Sequence, residues 1–334
     1  MRSWRPPGYP FYLSLFYLIG GIDGFNLVPY VNFIIYLLSF YLLFSLSNFF
    51  FRQVDSYCIV LVVYLFHSNK FNQLIVVNYS ESLFFFLSTC FLFLFVKSIK
   101  QNNKFYFIFS FFILGISYMV RGPSLPLGIV IFLFLFLFQK KFSTKIIFTS
   151  LTIFLLPCII WIIRNYYVLG FGPHLYTANY ILIYYGLFDY LEAHKIDALV
   201  RGLDDLGKVT KLKSLIIEKI SSDYLGTVII FLKKFLRIFY YHNTYISSFL
   251  LIILLIQAYN KNRKEFTNYL NSKIEKIFFT YFFICILYFF ISCLAQSSWR
   301  YSLIPSIYKQ LFEIFLILNL IKTNKNVSLQ KNKH

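Results

Sequence analysis

Charged residues are scarce in this sequence of 334 residues. They make up 13% of the chain, whereas about 25% is usual in a soluble domain. Acidic residues are rarer still, with 13 Asp and Glu beside 32 Lys and Arg. Hydrophobic residues make up 59%, including 44 Phe and 28 Tyr, which is more apolar surface than one globular core can bury. The composition therefore excludes an ordinary soluble domain and predicts a multi-pass membrane protein.

The motifs of common soluble enzymes are also missing. The sequence contains no GxGxxG, GxxxxGK[ST], HExxH or GxSxG. The five histidines lack metal-ligand spacing, and the five cysteines lie in or beside apolar blocks without a CxxC pair. Asp204 and Asp205 lie in a polar, helical stretch, so they are interpreted as part of a solvated charged surface and not as a site for a metal-bound nucleotide sugar. No cofactor is expected, and the requirement for a divalent metal is left open.

Nine apolar blocks have, or nearly have, the length of about 20 residues that a spanning helix needs. They are residues 28–50, 56–68, 80–96, 105–120, 122–138, 146–163, 244–259, 277–294 and 303–321. The second block is the weakest, because it is short and contains His67. Residues 9–20 are too short to span and are bracketed by Pro10 and Gly20, so they predict an interfacial helix.

Basic residues are concentrated in alternate short connections between these blocks. One set of connections carries sixteen Lys and Arg and the opposite set carries three. Basic residues favour the cytoplasmic side, so this asymmetry predicts nine spans with the N-terminus outside and the C-terminus in the cytoplasm. The same distribution accounts for the net charge of +19, so nucleic acid is not an expected partner, whereas membrane lipids are.

One connection is long and has a different composition. Residues 164–243 contain ten basic and seven acidic residues and lie on the predicted outer side. Helical spacing of Leu, Ile and Val over 186–224 predicts a helical insertion, and 225–241 predicts an interfacial helix. The expected all-α organisation is an N-terminal membrane module (1–163), this insertion (164–243), C-terminal spans (244–321) and a cytoplasmic tail (322–334).

Polar residues lie at the predicted outer ends of several spans. Such residues are costly near a membrane, so each is a candidate for function, and arginines there suit a phosphate group. Two alternatives without a catalytic role remain open. Each arginine could extend to lipid headgroups, and Glu81 could merely cap the N-terminus of its helix. The candidates are Arg5, Glu81, Arg121, Arg164, Asn165, Arg300 and Tyr301.

Five segments on this outer side resemble the membrane-embedded glycosyltransferases of the GT-C superfamily. The branch is the one related to protein O-mannosyltransferases and lipid A aminoarabinose transferases. RPPGYP is the most specific motif. The other motifs strengthen the resemblance through their order along the chain and their location on the same predicted side of the membrane. The segments are RPPGYPFYLSLFYLIGG, NYSESLFFFLSTCFLFLF, GISYMVRGPSLPLGIVI, LLPCIIWIIRNYYVLGFG and WRYSLIPSIYKQLFEIFLIL.

The resemblance implies transfer of a sugar from a polyprenyl-phosphate donor to a glycan, lipid or protein acceptor. It places the protein in the bacterial inner membrane with its active face outward. Glu81 matches the second acidic position of the family and would position the acceptor or the base. Arg5, Arg121 and Arg300 are the candidates that would stabilise the phosphate leaving group. The family carries its general base on a loop after an earlier spanning helix, and only MRSW precedes RPPGYP. We therefore expect that helix to be missing, through an incorrect start or a truncated gene, which leaves the chain's own activity open.

A lipid-linked-sugar flippase or another non-catalytic transporter is the alternative. Nine spans with outward charges would suit a transporter as well. Transporters usually place ionisable residues near the middle of the membrane, whereas these charges gather at the outer ends. The sequence therefore favours the enzyme.

Overall fold

The computed structural model describes residues 7–49, 53–76, 80–121, 142–169 and 205–230, together with single positions such as Gly128 and Tyr308. Within these ranges every regular element is helical, which confirms the predicted class. The elements are α1 (Gly8–Gly20), a 3-10 helix (Asp23–Leu27), α2 (Val28–Ser47), α3 (Gln53–Val76), α4 (Glu81–Gln101), α5 (Lys104–Val120), α6 (Thr144–Leu169) and α7 (Asp205–Ser222). The last three predicted spans lie almost entirely outside the described residues, so the count of nine stays a prediction.

Three of the described helical segments are long and apolar enough to cross a membrane. They are Asp23–Ser47, Glu81–Gln101 and Thr144–Trp161. Two shorter apolar helices, Gln53–Leu65 and Lys104–Val120, accompany them. All five coincide with predicted spans, although α3 and α6 continue well past the predicted ends.

Helix α4 lies in the interior of the described bundle, where it packs against α2 and α5. The buried residues of α2 recur every three or four positions, as a helix with one inward face requires. They are Val28, Asn32, Tyr36, Ser39, Leu43, Leu46 and Ser47. The same face therefore includes one amide and three hydroxyl groups among its apolar residues.

The two ends of this bundle differ in charge. Helices α2 and α4 run parallel, because Asn32 bonds to Ser82 near their first turns and the Lys100 ammonium donates to the Phe49 carbonyl at their other ends. Helix α5 runs back, so Arg121 at its end lies beside Glu81. Glu81 and Arg121 thus share one end, and the lysines of α4 occupy the other, as the charge asymmetry predicted.

Helix α1 is too short to span a membrane. Its 13 residues extend about 20 Å, against a hydrocarbon thickness of about 30 Å. Gly8, Tyr12 and Phe16 recur every four residues and therefore share one face, on which Phe16 is buried. Leu18 and Ile19, elsewhere on the helix, are each more than 70% exposed. The helix predicted at 9–20 is confirmed in extent, and its interfacial position stays a prediction.

The region predicted as an outer insertion, residues 164–243, is helical over 205–222 and 224–230, where the structure describes it. Helix α7 buries Leu212 and Ile216, and a further helical segment covers 224–230. Asp223 lies between them and accepts hydrogen bonds from Lys219 Nζ at 3.1 Å and from the Gly226 N–H at 2.9 Å. These bonds lower the pKa of the Asp223 carboxyl group. The boundaries of the insertion remain predicted.

Candidate active site

Glu81 opens α4 and is almost completely buried. Its side chain is 1% exposed, and it occupies the first helical turn, where the helix dipole favours a negative charge. The dipole does not act on this carboxylate alone, because Glu81 Oε1 also lies 3.4 Å from Arg121 Nη1. The interpretation of Glu81 as a helix-end residue alone is therefore incomplete.

Arg121 follows the last turn of α5 in an extended backbone conformation. Its N–H donates to the Ser117 carbonyl at 2.9 Å, which ends the helix. Its guanidinium is 9% exposed, pairs with Glu81 and lies 5.8 Å from the centre of the Phe84 ring. A snorkelling arginine would extend towards lipid headgroups, so that alternative is wrong for Arg121.

Gly8 brings the RPPGYP segment to the same place. A Cβ at this position would lie 2.7 Å from the Met119 carbonyl oxygen and 3.0 Å from the Val120 nitrogen. Only a glycine allows α1 to approach the end of α5 so closely, immediately before Arg121. The described residues of the three motif segments, Gly8, Glu81 and Arg121, therefore lie close together, as the resemblance to one family implies.

Buried tyrosines lie on the two helices that pack against α4 and α5. Tyr9 of α1 is 8% exposed and Tyr36 of α2 is 3% exposed. Tyr9 stacks on Tyr12, with ring centroids 5.7 Å apart, and the Tyr36 ring lies 6.0 Å from that of Phe85 on α4. These helices therefore pack through aromatic side chains near the turn that carries Glu81.

A buried amide completes the cluster. Asn32 Oδ1 accepts hydrogen bonds from the Tyr12 hydroxyl at 3.0 Å and from Ser82 Oγ at 2.9 Å. Asn32 lies in an apolar block, and the analysis of charges did not select it. The signal that would have found it is an amide on the inward-facing stripe of a predicted span.

Arg164 and Asn165 lie within α6, which continues to Leu169 instead of ending before them. The Arg164 side chain is exposed and lies 4.8 Å from the centre of the Trp161 ring. The start of α5 contacts the start of α6 through Phe107 and Phe142, so these helices are parallel. Arg164 is therefore at the same end of the bundle as Arg121, although no contact with the ion pair is described. The Asn165 side chain, Arg5, Arg300 and Tyr301 lie outside the described residues.

The segment of the last predicted span contributes a second polar contact, which sequence reasoning missed. The Tyr308 hydroxyl lies 2.8 Å from both Ser88 Oγ and Thr89 Oγ1 of α4. Ser88 and Thr89 also bond to the Phe85 carbonyl. The hydroxyl groups of Ser88, Thr89 and Tyr308 have three protons for these four contacts, so at least one proton is shared between two acceptors. This cluster attaches the Tyr308 segment two turns beyond Glu81 along α4.

Comparison with known families agrees with this geometry. Residues 4–163 match the family model of dolichyl-phosphate-mannose-protein mannosyltransferases. The match covers slightly less than half of the chain and includes Gly8, Asn32, Glu81 and Arg121, whereas Arg164 and Tyr308 lie beyond it. No curated protein and no solved structure matches the chain.

This match supports the coarser predictions made from the sequence. The family implies a membrane glycosyltransferase that uses a lipid-phosphate sugar donor. Together with the apolar helices, it points to an integral membrane protein. Within the described residues, no group of three or more His, Cys, Asp or Glu is placed to hold a metal ion.

Proposed function

We propose that this protein transfers a sugar from a polyprenyl-phosphate donor to an acceptor at the outer face of a bacterial inner membrane. The observation that carries the proposal is the buried Glu81–Arg121 pair inside the region that matches the mannosyltransferase family. A carboxylate and a guanidinium are the two groups that such a transfer needs beside the reacting carbon.

The depth of the pair suits a lipid phosphate. Helix α4 has 21 residues and so extends about 31 Å, close to the thickness of the hydrocarbon layer. Glu81 is its first residue and therefore lies near the boundary between hydrocarbon and headgroups. The phosphate of a polyprenyl lipid occupies this boundary, whereas a soluble nucleotide sugar does not.

Arg121 is assigned to the phosphate. When the glycosyl bond breaks, the bond between the anomeric carbon and the phosphate oxygen leaves its electron pair on that oxygen. A guanidinium stabilises this developing charge, and its five N–H donors allow it to contact a carboxylate and a phosphate together. The Glu81 carboxylate holds the guanidinium in place for this role.

Glu81 is assigned to the acceptor side. The acceptor hydroxyl forms the new bond to the anomeric carbon, and its proton passes to a carboxylate. Glu81 is the carboxylate that contacts Arg121, so it is the candidate catalytic residue here. Arg5, Arg164, Asn165, Arg300 and Tyr301 are proposed to bind the rest of the substrate. Since both members of the pair are buried, substrate reaches them only when neighbouring segments move apart.

Donor turnover tests this proposal. The full chain in lipid nanodiscs is given radiolabelled polyprenyl-phosphate mannose and a membrane extract as the source of acceptor. Arg121→Gln and Glu81→Gln should each lower sugar transfer about 100-fold or more. Lys145→Gln and Glu218→Gln are matched controls, because they remove one charge of each sign from exposed side chains outside the pair.

The result that overturns the enzyme is also defined. Movement of the intact labelled lipid between leaflets, without cleavage of the glycosyl bond, would instead identify a flippase. Full transfer activity in both variants would remove the pair from the mechanism.

The outward face has its own test. Single cysteines introduced near Lys264 should react with a membrane-impermeant thiol reagent only from the cytoplasm, and those near Asp204 only from outside. The reverse pattern would place every candidate residue in the wrong compartment.

A further inference from the structure

Asn32 has no exposed surface and lies one turn into α2, inside an apolar stretch. Its Oδ1 accepts two hydrogen bonds, one from Tyr12 of α1 and one from Ser82 of α4. One amide group therefore joins three helices. All three helices border the Glu81–Arg121 pair.

Each hydrogen bond of Asn32 lies close to a segment that positions one member of the Glu81–Arg121 pair. Ser82 follows Glu81 in the first turn of α4, so a hydrogen bond at Ser82 fixes the rotation of that turn about the helix axis. Tyr12 lies one turn after Gly8 on the same face of α1, and Gly8 packs on the backbone just before Arg121. A change at Asn32 would therefore be transmitted to both charged side chains.

Fold stability does not account for an amide at this position. Asn32 Nδ2 is buried, and it has no hydrogen-bond partner in the described part of the chain. A buried N–H donor without a partner destabilises the fold, whereas an apolar side chain of similar size carries no such penalty. The amide therefore combines two favourable hydrogen bonds at Oδ1 with an unfavourable buried donor at Nδ2, so stability alone gives no strong preference for it. Residues that stability does not favour are typical of functional sites.

We propose that Asn32 is a positioning residue for the transfer reaction. By holding Tyr12 and Ser82, it fixes the first turn of α4 against α1 and so places the Glu81 carboxylate against the Arg121 guanidinium. The inference rests on the proposed function, and it requires no contact between Asn32 and the reacting atoms.

Stability and activity should separate in the test. Asn32→Leu is compared with wild type by thermal unfolding and by transfer kinetics with radiolabelled polyprenyl-phosphate mannose. We expect the unfolding temperature to fall by no more than about 5 °C, because the loss of two hydrogen bonds is partly offset by removal of the unpartnered Nδ2 donor. We also expect a kcat about 10- to 100-fold lower and a much smaller change in KM. Ser39→Ala is the control, because Ser39 is equally buried on α2 but bonds only to the Ile35 carbonyl of its own helix.

The two hydroxyl partners supply a second comparison. The double variant Tyr12→Phe/Ser82→Ala should reproduce the loss seen in Asn32→Leu, and combining all three changes should add nothing further. Full activity in the double variant, with loss in Asn32→Leu, would show that the amide acts through another contact and would overturn the proposal. A fall in unfolding temperature that parallels the lost activity would identify a packing residue instead.

An experiment without substrate keeps this inference separate from the proposed function. Amide hydrogen exchange is measured across Gly8–Gly20 in nanodiscs. Asn32→Leu and Tyr12→Phe should speed this exchange about fivefold, and Ser39→Ala should leave it unchanged. If the wild-type protein turns over no donor, the proposed function fails, but the exchange experiment still tests the link through Asn32. Unchanged exchange in α1 of Asn32→Leu would refute that link, and faster exchange would support it.

Discussion

The buried ion pair makes a quantitative prediction about stability. The perturbations are Glu81→Gln, Arg121→Gln and the double variant, which remove one charge or both while nearly preserving volume. At the observed separation of 3.4 Å, the attraction between unit charges is roughly 5 kcal/mol for an effective dielectric constant of about 20. Much of this attraction offsets the desolvation of the two groups.

Removing a single partner leaves the other charge buried without its counterion. Each single variant should therefore lower the free energy of unfolding by about 3–5 kcal/mol. The double variant leaves no uncompensated charge, so its loss should be smaller than the sum of the single losses. We expect a coupling free energy of about 2–3 kcal/mol between the two positions.

The assay is equilibrium unfolding by SDS in mixed micelles with a mild detergent, followed by tryptophan fluorescence. The Lys219–Asp223 pair is the control, because Lys219 lies in the last turn of α7 and Asp223 directly follows that helix at the surface, so their coupling should stay below about 1 kcal/mol. Additive losses at Glu81 and Arg121 would refute the reasoning, since two groups that do not interact cannot form the centre of a site.

Three further predictions concern other contacts. Gly8→Ala places a carbon 2.7 Å from the Met119 carbonyl, so it should destabilise the fold by about 1–3 kcal/mol and lower transfer activity, whereas Gly20→Ala, with nothing within 4 Å, should preserve activity. Tyr308→Phe should lower the free energy of unfolding by about 1 kcal/mol in the SDS assay, and no loss would mean that its hydroxyl contacts add no stability. In an NMR titration, the Asp223 carboxyl group should have a pKa below the ordinary value for aspartate. The stabilisation that the carboxylate gives is therefore fully present above that ordinary value, and it is lost as the pH falls through the lowered pKa. Lys219→Gln should raise that midpoint, and an unchanged midpoint would contradict the role of Lys219.

The position of Glu81 and Arg121 at one end of the bundle was predictable, because sidedness follows from charge alone. Alternating basic connections placed both residues at helix ends opposite the lysines before any packing was known, and the outward orientation of that end stays a prediction. Their direct contact was not predictable, because it depends on the rotation of α4 and α5 about their axes. A resemblance in motif order implied the convergence, and the ion pair at 3.4 Å supplies its geometry.

Helix ends were the least predictable feature. The predicted span at 56–68 is part of α3, which continues through a polar stretch to Val76, and α6 continues through Arg164 to Leu169. Hydropathy reports where apolar side chains stop, whereas backbone hydrogen bonds continue wherever no breaker intervenes. Arg164 therefore projects from a helix instead of a loop, which fixes its direction more firmly than the sequence implied.

Polar residues inside apolar blocks escaped the sequence analysis for a different reason. A search for charge finds Glu81 and Arg121, but Asn32 and Tyr308 are uncharged and barely change the hydropathy of their blocks. Their importance comes from partners that are distant along the chain: 50 residues separate Asn32 from Ser82, and 220 separate Ser88 from Tyr308. Only the packed structure brings these partners together.

Helix α1 shows how these contacts act together. It cannot span the membrane, and its attachments to the bundle include close backbone packing at Gly8 and the hydrogen bond from Tyr12 to Asn32. These points lie one helical turn apart on one face, so together they fix both the position and the rotation of the helix. Losing either attachment would leave α1 able to pivot on the other. Because one attachment precedes Arg121 and the other is linked through Asn32 to the turn that carries Glu81, the placement of α1 and the geometry of the ion pair depend on each other.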